Sequence, residues 1–199
     1  MIKNITAVIL AGGNSTRMNF DKKYLEINEE YLMNKNVNIL LRYFENVVII
    51  SNDLKLNKFD FPFNVKVYKD DIRGCGPLGG IYTAINNINT DFIYVLACDM
   101  PNINVNYINY LKDIVNEFNV DGVVTRFGDW IEPFNGIYSK TLLEDMKKYL
   151  NSGRKSIFGF IENEEFYYVE EIIARKFSPN WKMFENYNTE LDLLKSINL

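Results

Sequence analysis

The chain has 199 residues, 47% hydrophobic and 24% charged, a composition that excludes disorder and suits one α/β domain with a sizeable core. The net charge is −4 and no basic stripe interrupts it, which argues against nucleic acid or an anionic membrane as the main partner. Histidine is absent, which excludes Ser-His-Asp and Cys-His pairs, His-ligated zinc and histidine general bases, and leaves carboxylates, Lys, Arg and backbone amides to carry any chemistry.

In chain order, Ile5 to Leu10 is a continuous β-branched apolar run of the kind that forms a strand buried on both faces of a parallel sheet. Ala11-Gly12-Gly13-Asn14-Ser15 ends it. A helix is expected over roughly 31–44, strands over 47–51 and 65–68, and a helix over 77–88, with Pro77 in a first turn where a missing N–H costs little. The run 92–97 reads as a strand, 104–118 has a helical apolar period, and 120–125 and 129–138 read as further strands. Helices over 141–150 and 156–161, a late strand over 166–169 and a helix over 189–197 complete the pattern. Alternation with short connections predicts a single doubly wound, Rossmann-like domain over 1–199 with a mostly parallel central sheet. No leader pattern or membrane-length apolar run is visible, so a cytoplasmic protein with Cys75 and Cys98 as reduced thiols is the expectation.

Three segments carry candidate chemistry. The first runs from Leu10 to Lys22 and follows the first strand, at the edge where such sheets bind ligands. Gly12 and Gly13 let backbone amides approach phosphates, and Arg17 and Lys22 supply positive charge for a triphosphate. Both cations are expected to be largely exposed in the free protein. The spacing fits neither a dinucleotide fingerprint nor a P-loop. The second is Asp99, directly after a buried strand, where a carboxylate suits Mg²⁺ against phosphate oxygens or, equally, an ordinary turn. The third is Gly76-Pro77-Leu78-Gly79-Gly80, whose small residues permit close packing against the sheet or a ligand. Asn52, after the strand 47–51, either reads a base edge or starts a turn.

Together the segments LAGGNSTRMNFDK, GCGPLGG, ACDMP, EPFNGIY, SGRKSIFGFI and FENYNTELDLL resemble the MobA-type molybdenum cofactor guanylyltransferases, almost end to end. The resemblance implies a nucleotidyltransferase fold and transfer of GMP from GTP to Mo-molybdopterin, with Mg²⁺ as cofactor and molybdoenzyme-maturation proteins as further partners. It places Leu10, Ala11 and Gly12 in the nucleotide-binding loop, Lys22 on phosphate, Asn52 and Asp71 on GTP (with Asp70 the adjacent alternative), and Asp99 on the metal. Asn188 falls in a segment resembling the family's NxNT, near the acceptor or metal, or simply before a helix. One departure is Asn19, where the family pattern has Gly; Asn tolerates the left-handed conformation best among the other residues. The rival readings are another nucleotidyltransferase of the same fold, of cytidylyl or sugar-phosphate type, and a nucleotide-binding module that delivers cofactor without catalysis. A phosphate-monoester acceptor is largely ionised at neutral pH, so the missing histidine is no obstacle to it.

Overall fold

Burial on both faces of the first strand sets the architecture. In β1 (Ile5–Leu10) all six residues are buried, with Ile5, Ala7 and Ile9 in one core and Val8 and Leu10 in the other. Two apolar faces demand a helix layer on each side. The computed structural model describes residues 3–12, 22–27, 29–53, 56, 59–72 and 74–187. After a 3₁₀ turn at Lys22–Tyr24 come two short antiparallel strands, β2 (Glu26–Ile27) and β3 (Glu30–Tyr31), then α1 (Leu32–Leu40). The order continues β4 (Val47–Ser51), β5 (Val65–Lys69), α2 (Gly76–Asn87), β6 (Phe92–Ala97), α3 (Val105–Glu117), β7 (Gly122–Phe127) and β8 (Trp130–Ser139). A 3₁₀ turn at Lys140–Leu142 leads into α4 (Leu143–Asn151), then α5 (Ile157–Ile161), β9 (Phe166–Glu170), α6 (Glu171–Phe177) and a last 3₁₀ turn at Lys182–Phe184. The predicted helix over 189–197 lies outside the described residues.

The central sheet has seven strands in the order β5-β4-β1-β6-β8-β7-β9. Only β8 runs against its neighbours, so the sheet is mostly parallel, as the sequence predicts. Residues of α1, α3 and α6 cover one face and residues of α2, α4 and α5 the other. The chain builds outward from β1 through β4 to β5, then returns to place β6 on the other side of β1. That reversal puts a crevice at the carboxyl ends of β1, β4 and β6. Among the described residues no helix is long and apolar enough to cross a membrane. Cys75 and Cys98 are both buried and are not joined in a disulfide.

Candidate active site

Strand register brings the predicted residues to one edge. Leu10 pairs with Ile50 on one side and Ala97 on the other. Just beyond, the Ala11 amide donates to the Ile50 carbonyl at 2.8 Å and the Cys98 amide to the Leu10 carbonyl at 3.1 Å. The residues that follow each strand, Gly12, Asn52 and Asp99, therefore emerge side by side. Gly12 is exposed, and a β-carbon added to it would stand 3.7 Å from Asn52 Nδ2. Leu10 is different: its side chain is buried and packs on Gly80, where an added β-carbon would meet Leu10 Cδ2 at 3.1 Å. Any contact of Leu10 with a nucleotide runs through its backbone.

Lys22 and Asp99 meet. The Lys22 ammonium donates to Asp99 Oδ2 at 2.6 Å, with the carboxylate side chain 10% exposed and the lysine 28%. Lys22 is thus half-buried, where sequence reasoning expected a largely exposed side chain. The reason is the 3₁₀ turn, which lays Lys22 and Lys23 over the crevice. Lys23, itself buried, pairs with Asp53 at 3.0 Å. Two consecutive lysines so reach the ends of β6 and β4, on either side of β1. The Lys23–Asp53 pair went unread in the sequence; adjacent lysines after a glycine loop were its only signal. Behind Asp99, its carbonyl accepts from the Tyr187 amide at 2.9 Å, tying the end of the described chain to this loop.

The loop after β5 carries the two adjacent aspartates. Asp70 Oδ1 accepts from the Ile72 amide at 3.1 Å and the Thr83 hydroxyl at 3.3 Å, while the Asp71 amide donates to Thr83 Oγ1 at 3.0 Å. Asp71 is exposed, and its carboxylate accepts from Asn87 Nδ2 at 3.4 Å, at the far end of α2 from the glycine-rich start. The structure therefore gathers Gly12, Asn52, Lys22 and Asp99, while the Asp71 carboxylate pairs with Asn87. Buried Thr83 fixes this loop and was not foreseen. In the GPLGG segment Gly76 takes the left-handed conformation at φ 59°, whereas Gly79 and Gly80 serve packing: a β-carbon on Gly79 would stand 2.8 Å from the Ile72 carbonyl and 3.0 Å from Cys75 Cβ. Lys155, from the segment after α4, donates to the Gly74 carbonyl at 3.2 Å and closes the same edge. Gly13, Arg17, Asn19 and Asn188 lie outside the described residues.

A second cleft, about 850 Å³, lies at the opposite edge, lined by Lys3, Asp91, Asp121, Lys140 and Glu165 among others. Its lysines donate to the carbonyls of Phe118 and Ile88, and Asp121 holds the Thr141 hydroxyl and the Glu165 amide. Those groups serve the fold, and the carboxyl edge is the candidate site.

No group of three or more His, Cys, Asp or Glu stands close enough to hold a metal among the described residues. Among the described residues the donor at the end of β6 is the buried Asp99 carboxylate, paired with Lys22. That suits a hard cation that takes one or two carboxylates and completes its shell with water and substrate phosphates, and it does not suit zinc.

The profile described as "MobA-like NTP transferase domain" matches residues 7–165. The chain belongs to this family. MobA-like relatives cover nearly its whole length. It is 44% identical to a "Molybdenum cofactor guanylyltransferase" of Syntrophotalea carbinolica, over 96% of this chain and 89% of the relative. It is 37% identical to a "Probable molybdenum cofactor guanylyltransferase" of Peptoclostridium acidaminophilum, over 94% and 86%. The crystal structure of "Molybdopterin-guanine dinucleotide biosynthesis protein A" from Archaeoglobus fulgidus superposes with a TM-score of 0.79 at 22% identity, covering 96% of each chain, which establishes the fold.

Proposed function

We propose that this chain transfers GMP from GTP to the terminal phosphate of Mo-molybdopterin, releasing pyrophosphate and forming the guanine dinucleotide cofactor. The observation that carries this reading is the Lys22–Asp99 pair at the crevice beside Gly12. It puts a movable cation and a fixed carboxylate where a triphosphate on the loop amides would lie. The name of the 44%-identical relative supports guanylyl transfer as the reaction.

The acceptor phosphate oxygen attacks the α-phosphorus of GTP. A new P–O bond forms as the bond from the α-phosphorus to the bridging oxygen breaks, and pyrophosphate leaves. Two anions must meet, so neutralising charge is the largest catalytic contribution. Gly12 and Gly13 amides orient the phosphates. Lys22 leaves Asp99 for the triphosphate and stabilises the departing pyrophosphate, and Arg17 shares that role. Asp99 would hold Mg²⁺, which supplies charge neutralisation and phosphate orientation when bound. Asn52 contacts the nucleoside from the β4 side. Asp71 or its neighbour Asp70 reads the guanine edge. No general base is required, because the nucleophile is already ionised. The reaction takes place in the cytoplasm, and molybdoenzyme-maturation proteins receive the product.

The test is incubation with each of the four triphosphates, Mg²⁺ and Mo-molybdopterin, with pyrophosphate release as readout. Release with GTP alone is the expected result. Equal use of CTP defeats the guanylyl assignment, and no release with any triphosphate defeats nucleotidyl transfer.

A further inference from the structure

β8 begins at the same edge where β6 ends, because it alone runs antiparallel. It pairs with β6 only at Gly136–Ser139, so Leu96 and Ala97 at the end of β6 pair with β1 alone. Asn135 has φ 51° and marks the point of departure; its side chain bridges the Tyr94 hydroxyl and the Met183 carbonyl. Ahead of it, Trp130 to Glu132 stay with β7, opposite Phe127 to Thr125. The sheet is thus unzipped beside the strand that delivers Asp99, on the side away from Gly12 and Asn52.

The residues at the start of β8, beside this break in the ladder, differ from an ordinary hairpin tip. Trp130 is 53% exposed, and its ring lies 4.6 Å from that of Phe158 at the start of α5. The indole is held by its own Nε1–H, which donates to Glu132 Oε1 at 3.1 Å. Glu132 is half-buried, and among the described residues its carboxylate makes no other hydrogen bond. A partly desolvated carboxylate with lone pairs to spare, next to an exposed aromatic plate, suits a flat heteroaromatic ring that carries adjacent N–H donors.

We propose that Trp130, Phe158 and Glu132 seat the pterin ring of the acceptor. The proposal rests on the function proposed above, which supplies a pterin as substrate. A 2-amino-4-oxopteridine presents N3–H and an exocyclic NH₂ on one edge, a donor pair that a carboxylate accepts together. Guanine carries the same pair, so the chemistry alone fits either ring. Position separates them: the nucleotide loop lies on the β1–β4 side of the crevice and this seat on the β8 side. Stacking holds the ring, Glu132 sets its orientation, and the phosphate arm of the acceptor then reaches toward Lys22 and Asp99.

The experiment compares wild type with Trp130→Ala, Trp130→Phe and Glu132→Gln in two arms. In the first, steady-state kinetics with GTP and Mo-molybdopterin are run beside equilibrium binding of GTP alone. Trp130→Ala is expected to raise the KM for the acceptor about tenfold to a hundredfold, the range of a lost aromatic stack. Trp130→Phe keeps most of the affinity, Glu132→Gln weakens it about tenfold, and GTP binding is unchanged in all three. An unchanged acceptor KM overturns the proposal, and a matching loss of GTP affinity transfers the site to guanine. In the second arm, tryptophan fluorescence is titrated with a free 2-amino-4-oxopteridine. Quenching that disappears in Trp130→Phe is expected, and quenching that persists overturns the proposal. If wild type releases no pyrophosphate, the guanylyltransferase reading fails by itself and the second arm still decides the pterin seat.

Discussion

The Lys22–Asp99 pair predicts an asymmetry between two substitutions. Lys22→Ala strands a carboxylate whose side chain is 10% exposed; Asp99→Asn leaves a lysine already 28% exposed on a flexible stem. A hydrogen bond to a charged group contributes about 1.5–3 kcal/mol, and partial exposure discounts it, so Lys22→Ala should cost about 1–2 kcal/mol of stability. Asp99→Asn should cost under about 1 kcal/mol, because the lysine is already partly exposed. Both should lower turnover roughly 10²–10³-fold, the scale of losing one electrostatic contact to the reacting phosphates. Urea midpoints and pyrophosphate release, measured on the same preparations, separate the two quantities. Mg²⁺ adds a further check, because it can take the place of the missing ammonium against Asp99. At tenfold excess over its Kd, an ion bound only by the folded state adds about 1.4 kcal/mol, and this gain should be larger for Lys22→Ala than for wild type. A folded Asp99→Asn enzyme with wild-type turnover, or a Lys22→Ala protein as stable as wild type and indifferent to Mg²⁺, would refute the reasoning.

Gly79→Ala should destabilise by about 1–3 kcal/mol, since the new methyl meets rigid backbone at the Ile72 carbonyl, whereas Gly80→Ala meets only the tip of Leu10 and should cost under about 1 kcal/mol; thermal melts that rank them the other way contradict the packing account. Burial raises the Glu132 carboxyl above its ordinary 4.5, against the smaller lowering effect of the Trp130 hydrogen bond. Folding then favours the protonated form, so the group's contribution is greatest below the unfolded pKa and is lost as pH rises through the folded one. Glu132→Gln should therefore gain stability relative to wild type at neutral pH, with the advantage shrinking toward pH 4; a pH-independent difference in Tm would exclude this cause. Asp71→Ala should raise the KM for GTP more than for other triphosphates with little effect on stability, while Asp70→Ala should also loosen the Ile72–Thr83 contacts. Equal weakening of all triphosphates by Asp71→Ala would assign that residue to the loop instead of the base.

The buried strands were the most legible part of the sequence. The bounds of β1 and β6 match the apolar runs because both faces of those strands are covered, so no alternation blurs their ends. Short elements were not legible. β2 and β3 have two residues each, too few for any period, and α6 follows β9 without a glycine or proline to announce the change. The reversed β8 was unreadable for a different reason: strand direction depends on which neighbours it meets, and the run 129–138 carries no sign of that. At the candidate site, the positions of Asp99 and Gly12 just past strand ends were legible. The burial of Lys22 and the turning of Asp71 toward Asn87 were not, because both depend on partners distant in sequence or a full helix away.

The hydrogen bond from the Tyr187 amide to the Asp99 carbonyl has a practical consequence for anyone handling this protein. Tyr187 is moored to the backbone of Asp99, the residue proposed above to hold the metal. A purification tag, an immobilisation surface or a fused reporter that pulls on Tyr187 loads the backbone carbonyl of the residue whose side chain faces Lys22. Comparing the activity of fusions at either terminus measures how stiff that mooring is.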